Sequence, residues 1–135
     1  MPGPPPPCGM QKVLCKLRLG QLLSRAAASP LDSALGADLL LVPHHGSKTS
    51  STAEFLAAVH PQTAVVQAGY RNRYGHPAPV VVRRYADLAQ SYAPDAPLQW
   101  VDTAHCGAFW WQSWAPATSQ CARKVLQRYW HHRVP

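Results

Sequence analysis

Acidic residues are scarce in this sequence. Six Asp and Glu stand against 13 Lys and Arg in 135 residues, a formal net charge of +7 at pH 7. A basic balance of this size makes nucleic acid or an anionic membrane surface a candidate partner; the plainer reading is a solvated surface that happens to be basic. A zinc-ribbon spacing is also missing. The four cysteines, Cys8, Cys15, Cys106 and Cys121, contain no C-x2-C pair, so they read as buried or free thiols, with a Cys106–Cys121 disulfide as the alternative in an oxidising compartment. No apolar run approaches the ~20 residues that cross a bilayer; Leu39 to Pro43 stops far short of it. Lys12, Lys16 and Arg18 interrupt any stretch that could form the core of a signal peptide. The chain as given is therefore expected to be soluble, or the soluble part of something larger. Hydrophobic residues make up 47%, which excludes disorder along the whole length and allows one domain with one modest core.

What is there falls into four stretches. Residues 1–10 open with four consecutive prolines, which fix φ and lack a donor, and predict a disordered or polyproline II tail. Residues 11–35 form a divergent segment with a weak helical pattern over 11–28 from Val13, Leu14, Leu17, Leu22 and Leu23, closed by Ser29-Pro30. Residues 36–115 alternate strand and helix signals. Ala37 to Val42 reads as a buried strand, followed by the loop Pro43-His44-His45-Gly46-Ser47. Ser51-Thr52-Ala53-Glu54 reads as a capping box, with Ser51 as N-cap and Glu54 at N3, ahead of a helix bearing Phe55, Leu56 and Val59 and stopped by His60-Pro61. Thr63 to Gln67 is a second strand, and 68–77 a loop. Pro79 starts a helix reaching about residue 91. Leu98 to Asp102 is a third strand, and Cys106 to Gln112 an aromatic-rich fourth that makes a β-pair with it. Residues 116–135 read as a basic tail, helical over 119–132. Strands alternating with helices predict an α/β sheet with its helices on one face and its function in loops at the carboxyl ends of the strands.

Both unusual segments lie in such loops. His44 and His45 follow a stiff strand, Gly46 permits a sharp turn, and Ser47 and Lys48 could meet an anion. Neutral imidazole suits zinc, so these are candidate metal ligands. A closed site needs three or four, and further candidates are few: Asp38, His60, His76, Asp102 and His105. The competing reading is a pair of solvent-facing loop histidines. Arg71-Asn72-Arg73-Tyr74-Gly75-His76-Pro77 places two guanidinium groups, a ring, an amide and an imidazole in one loop. Arginine can grip phosphate with two hydrogen bonds, and Tyr70 or Tyr74 could stack on an unpaired base for roughly 1–3 kcal/mol. Solvated arginines and a core-packed Tyr are the bland alternative. Arg83 and Arg84 extend the basic footprint. Arg123-Lys124 and Arg128-Tyr129-Trp130-His131-His132-Arg133 read as a solvated or membrane-proximal helix end.

Asp38-Leu39-Leu40-Leu41-Val42-Pro43-His44-His45-Gly46-Ser47-Lys48-Thr49-Ser50-Ser51 resembles the late motif of the metallo-β-lactamase domains of ComEC/Rec2 DNA-internalisation proteins. Glu54 to Pro61 is similar to the family helix, Gly69 to Pro77 to its glycine–histidine–proline loop, and Thr103 with Cys106-Gly107-Ala108 to its closing hairpin, where many members carry Asp at the position of Cys106. The resemblance covers about residues 36–133. It implies an α/β fold, the C-terminal half of an αββα metallo-β-lactamase sandwich, behind a disordered Pro-rich start.

The resemblance further implies zinc or manganese in the complete domain, no small-molecule cofactor, and a metal-bound hydroxide that attacks a DNA phosphodiester. The implied partners are single-stranded DNA or duplex undergoing uptake, the N-terminal half of the domain, and the membrane channel of a parent protein in the bacterial inner membrane. The chain alone would then be soluble or cytoplasmic. One late histidine ligand carries over, to His44 or His45, with His44 nearer the strand. Ser47, Lys48, Asn72 and His76 carry over as substrate-side residues or supports of the ligands, beside Arg71, Arg73 and Tyr74 from the loop. The family's His-x-His-x-Asp-His string and bridging aspartate are absent here. The expectation is therefore a truncated, frameshifted or remnant product with no nuclease activity of its own and an apolar edge where the other sheet would pack. The alternatives are a non-catalytic nucleic-acid-binding module using the 71–77 loop, or another hydrolase of the superfamily acting on a small ester or thioester.

Overall fold

The computed structural model describes residues 13–14 and 36–129. Four strands form one parallel sheet in sequence order: β1 (Val13–Leu14), β2 (Leu39–Leu41), β3 (Thr63–Val66) and β4 (Gln99–Asp102). Leu40 pairs with Ala64 and Ala64 with Trp100. Every residue of β3 is buried, and so are Leu39 and Leu40. Parallel strands are covered on both faces, which is why these stretches read as continuous apolar runs without alternation.

The first strand corrects the helical reading of 11–28 at its start. Val13 and Leu14 lie beside Leu39 and Leu40 as an added parallel strand. Two residues in Lys/Arg-rich text carry no periodicity, and pairing to β2 decides their conformation. The rest of that helix and the expected Pro-rich tail lie outside the described residues.

The helices α1 (Ala53–Val59) and α2 (Pro79–Ala89) cover one face of the sheet. Phe55, Leu56, Val59, Val81 and Tyr85 pack with Leu40, Ala64 and Val66. The Tyr85 ring lies 4.9 Å from that of Trp100, and burial pushes its hydroxyl pKa up to about 12. Pro79 opens α2 as the sequence suggests. The capping of α1 differs. Thr52, not Ser51, is the N-cap, its hydroxyl accepting from the Phe55 amide at 3.3 Å. Ser51 is fully buried at φ 53°, with Oγ 3.1 Å from the Tyr85 hydroxyl. Packing has taken that side chain into the core, and the cap shifts by one residue. Glu54 then sits at N2, where a backbone hydrogen bond and the Thr52 side chain hold its carboxyl below the usual range. His60 ends the helix in the left-handed conformation at φ 44°.

The opposite face carries Leu39, Val65 and Val101, with Leu41, Phe109 and Trp111 around them. Here two expectations fail. Cys106 to Gln112 is not a fourth strand paired with β4. A short helix, α3 (Thr103–Cys106), intervenes, and β5 (Phe109–Trp110) forms a separate antiparallel ribbon with β6 (Gln120–Cys121). The tail is not one helix over 119–132 either: within the described residues it is β6 followed by α4 (Ala122–Val125). A disulfide joins Cys106 to Cys121, the alternative reading for this pair of thiols, and clips the ribbon to α3; Cys8 and Cys15 lie outside the described residues. A groove of about 510 Å³ runs between sheet and ribbon, lined by Leu39, Leu41, Val65, Phe109 and Trp111 among others. No helix among the described residues is long and apolar enough to cross a membrane.

Candidate functional site

The carboxyl ends of β2, β3 and β4 meet at one edge of the sheet, and their loops are fastened to one another through backbone atoms. After β2, Pro43–Gly46 forms a tight turn with His44 at φ 48°, His45 at φ 53° and Gly46 at φ 77°. The left-handed region costs a residue with a Cβ roughly 1–2 kcal/mol, so two consecutive histidines there mark a turn that its surroundings enforce. Gly46 is required on two counts. Besides its positive φ, a Cβ at this position would lie 2.7 Å from Pro77 Cβ. Its carbonyl accepts from the Ala78 amide at 2.8 Å, locking the histidine turn to the end of the 68–77 loop.

The turn presents both imidazoles at the exposed edge. His45 Nδ1 donates to the Gln67 carbonyl at 2.6 Å. That contact fixes the tautomer and leaves the lone pair on Nε2, the arrangement that orients a ligating histidine. His44 Nδ1 lies 3.1 Å from Ser47 Oγ, which also touches Thr49 Oγ1 at 3.2 Å. Ser47 is buried, so it steadies His44 from beneath. Lys48 is exposed. The Arg84 guanidinium, which the sequence did not single out for this role, donates to the Ser50 carbonyl at 2.8 Å and to those of Lys48 and Ser51 at 3.4 Å, holding the loop after the turn.

In the 68–77 loop, Asn72 has a shaping role. Its Nδ2 donates to the carbonyls of Gly69 at 2.9 Å and His76 at 2.5 Å, and its Oδ1 accepts from the His76 amide at 3.0 Å. Both amide protons are thereby used within the loop. Arg71 lies over Tyr70, with Cζ 5.2 Å from the ring centre. Arg73 lies over Tyr74 at 4.7 Å and donates to its hydroxyl. The His76 ring is stacked near Tyr74, centroids 5.9 Å apart, and meets His44 edge-on at 6.1 Å. His45, Gln67, Asn72, Tyr74 and His76 line a cavity of about 200 Å³, and His76 Nδ1 is buried with no hydrogen-bond partner among the described residues.

At the end of β4, Asp102 accepts from the Ala104 amide at 2.7 Å and faces His105 Nδ1 at 2.9 Å. Thr103 Oγ1 bridges the backbone of Ala68, accepting at 3.1 Å and donating at 3.3 Å. Tyr70 and His105 meet edge-on at 6.3 Å. The structure therefore brings His44, His45, Arg71, Asn72, Arg73, Tyr74, His76, Asp102 and His105 to one edge. It does not bring His60, which stacks on Tyr92 at 4.3 Å just ahead of β3, at that strand's opposite end.

The donors fit a zinc or manganese ion only as contributors. His45 offers an oriented Nε2, but among the described residues no group of three or more His, Cys, Asp or Glu could hold a metal ion.

Comparison with known proteins places these features in context. The chain is 54% identical over 41 residues to ComE operon protein 3 of Bacillus subtilis (strain 168), a match covering 30% of this chain and 5% of that protein. It is 48% identical over 50 residues to competence protein ComA of Neisseria gonorrhoeae, 37% of this chain and 7% of the relative. It is 35% identical over 99 residues to the uncharacterized protein YcaI of Escherichia coli (strain K12), 70% of this chain and 12% of the relative. The chain thus spans between 5% and 12% of the length of these relatives. No protein-family model and no solved structure matches it.

Proposed function

We propose that this chain is part of a competence-related protein that handles DNA during uptake, and that its strand-end edge is the phosphate-facing side of a metal-dependent DNA-hydrolysing domain. Partial similarity to two competence proteins supports the setting. The observation that carries the site is the interlocking of the three strand-end loops, His45 to Gln67, Gly46 to Ala78 and Ala68 to Thr103. It presents imidazoles and the guanidinium groups of Arg71 and Arg73 together at one edge. Arginines at such an edge grip phosphate. In the complete domain His44 or His45 supplies one ligand to zinc or manganese, and the remaining ligands come from beyond the described residues. A divalent ion held there would act as a Lewis acid toward the phosphodiester. The parent protein belongs, in this reading, to the bacterial inner membrane.

The test is a salt titration of DNA binding with the purified chain, paired with metal analysis after dialysis against zinc and manganese. Binding is expected to weaken linearly on a logarithmic salt scale, with a slope of about −0.7 to −0.9 per neutralised phosphate, and Arg71→Ala/Arg73→Ala should reduce that slope by about two phosphates' worth. Absence of DNA binding at low salt would overturn the reading. Stoichiometric metal lost in His44→Ala/His45→Ala, with nuclease activity lost alongside, would show that this chain holds a complete site. DNA binding with no metal affinity, even in a longer form of the protein, would favour the non-catalytic binding module, for which the Arg71–Tyr70 and Arg73–Tyr74 pairs speak.

A further inference from the structure

We infer that the ribbon and the segment after it form a surface that docks on an anionic lipid bilayer. Large apolar side chains are exposed unevenly in this molecule. Eight are exposed among the described residues, and five of them fall within residues 110–129: Trp110, Trp114, Val125, Leu126 and Tyr129. Trp114 is 64% exposed and Tyr129 96%. Alternation along the ribbon explains the first of them. Phe109 and Trp111 pack toward the sheet, so Trp110 between them stands on the outer side. The ribbon and the start of α4 are also fastened to one another. The Ala122 amide donates to the Ala108 carbonyl at 2.8 Å, the stem of Arg123 lies so close to Gly107 that a Cβ there would meet it at 3.0 Å, and the disulfide ties Cys121 to α3. Apolar side chains carried outward on a fastened scaffold mark a contact surface.

Charge identifies what the surface meets. From residue 103 to the end of the sequence there is no Asp or Glu, against Arg123, Lys124, Arg128 and Arg133. Lys124 and Arg128 are exposed among the exposed Val125, Leu126 and Tyr129. Indole and phenol rings have an apolar body and a polar tip, and they settle at the level of lipid headgroups. Lys and Arg extend apolar stems toward the same boundary and are drawn to anionic headgroups. Apolar area combined with cations holds a peripheral surface to a bilayer and needs no spanning segment. Nucleic acid is a poorer fit: rings stack on bases and cations meet phosphates, but Val125 and Leu126 offer neither contact. A second copy is poorer still, because a two-fold contact would bring the same cations together with no carboxylate of this segment to pair them. The surface belongs to the side of the sheet away from α1 and α2, and the inference does not depend on what the strand-end edge binds.

The experiment is co-sedimentation of the full chain with vesicles of equal parts phosphatidylcholine and phosphatidylglycerol, and with phosphatidylcholine alone. The native chain should bind the anionic vesicles in preference. Trp110→Ser/Trp114→Ser should lower that binding by about ten-fold or more, because apolar insertion and charge act together. Lys124→Gln should lower it by about five-fold, the effect of one cation at the surface. Arg83→Gln removes the same charge from α2, on the helical side, and should change binding by less than about two-fold. Circular dichroism and a melting curve check that the variants fold, and Lys124→Gln alters only an exposed side chain. No binding to anionic vesicles at low salt would overturn the inference. So would equal losses in Lys124→Gln and Arg83→Gln, which mean unspecific adsorption of a basic chain. If Trp110→Ser/Trp114→Ser weakened DNA binding and left vesicle binding intact, the surface would belong to nucleic acid and the inference would fail. A dimer in sedimentation velocity that the same substitutions dissolve, with vesicle binding unchanged, would assign it to a second copy and overturn it equally.

Discussion

The two faces of the central sheet solve the same burial problem differently. On the helical face, Leu40, Ala64 and Val66 lie under Phe55, Leu56, Val59, Val81 and Tyr85, with Leu56 2% exposed and Val59, Val66 and Val81 at 0%. On the other face, Leu39, Val65 and Val101 meet a two-stranded ribbon across a groove of about 510 Å³. The first face is closed by side chains alone. The second is closed in part by a covalent link, Cys106 to Cys121. Two-residue strands and short helices bury too little surface to hold position unaided, so this side relies on the disulfide where the other relies on packing.

Substitution in the two faces should expose that difference most strongly. Leu56→Ala removes a side chain from a closed environment and is expected to destabilise the fold by about 2–5 kcal/mol. Leu41, half-buried beside the groove, leaves no sealed cavity when truncated, and Leu41→Ala should cost less than half as much. Urea unfolding of both variants measures the two values. Equal losses would mean that the groove is filled in solution and that the contrast between the faces is false.

The disulfide gives the next largest effect. Its partners are 15 residues apart, and closing a loop of that length stabilises by roughly 3 kcal/mol in the chain-entropy account. Unfolding in the presence of a reductant, or of Cys106→Ser/Cys121→Ser, should lower the midpoint accordingly while leaving helical circular dichroism below the transition unchanged. An unmoved midpoint would show that Phe109 and Trp111 hold the ribbon by packing alone.

The same contrast explains how much of the molecule the sequence made legible. β2 and β3 were readable because strands buried on both faces appear as apolar runs, and α2 because Pro79 announces its first turn. The histidine turn and the arginine loop stood out because few residue types adopt such loops without a reason. The ribbon was not readable. The Cys106–Cys121 pairing was legible only as an alternative that depends on an oxidising compartment, and the aromatic run there resembles an ordinary strand. The fastening of the site was hidden for another reason: His45 holds the carbonyl of Gln67 and Thr103 the backbone of Ala68. Main-chain partners have no identity in sequence, so only the folded chain reveals that three loops act as one edge. Asn72 shows the same limit, since the main-chain groups of Gly69 and His76 that it holds have no identity in sequence.

The smallest effect bears on the start of α1, where sequence pattern and packing compete for adjacent residues. Ser51 and Glu54 match the spacing of a capping box, yet Ser51 Oγ faces Tyr85 and Thr52 supplies the cap. Thr52→Ala should therefore cost about 1 kcal/mol, the usual loss of an N-cap side chain. Glu54→Ala should cost less than Thr52→Ala, because the carboxylate at N2 is fully exposed and its hydrogen bonds at the helix start compete with water. Ser51→Ala should resemble neither: it leaves the buried Tyr85 hydroxyl without its partner, so its loss should shrink when Tyr85→Phe is already present. A double-mutant cycle by urea unfolding reads this coupling. If Ser51→Ala and Glu54→Ala were coupled to each other instead, the capping box would be the working arrangement and the packing of Ser51 against Tyr85 incidental.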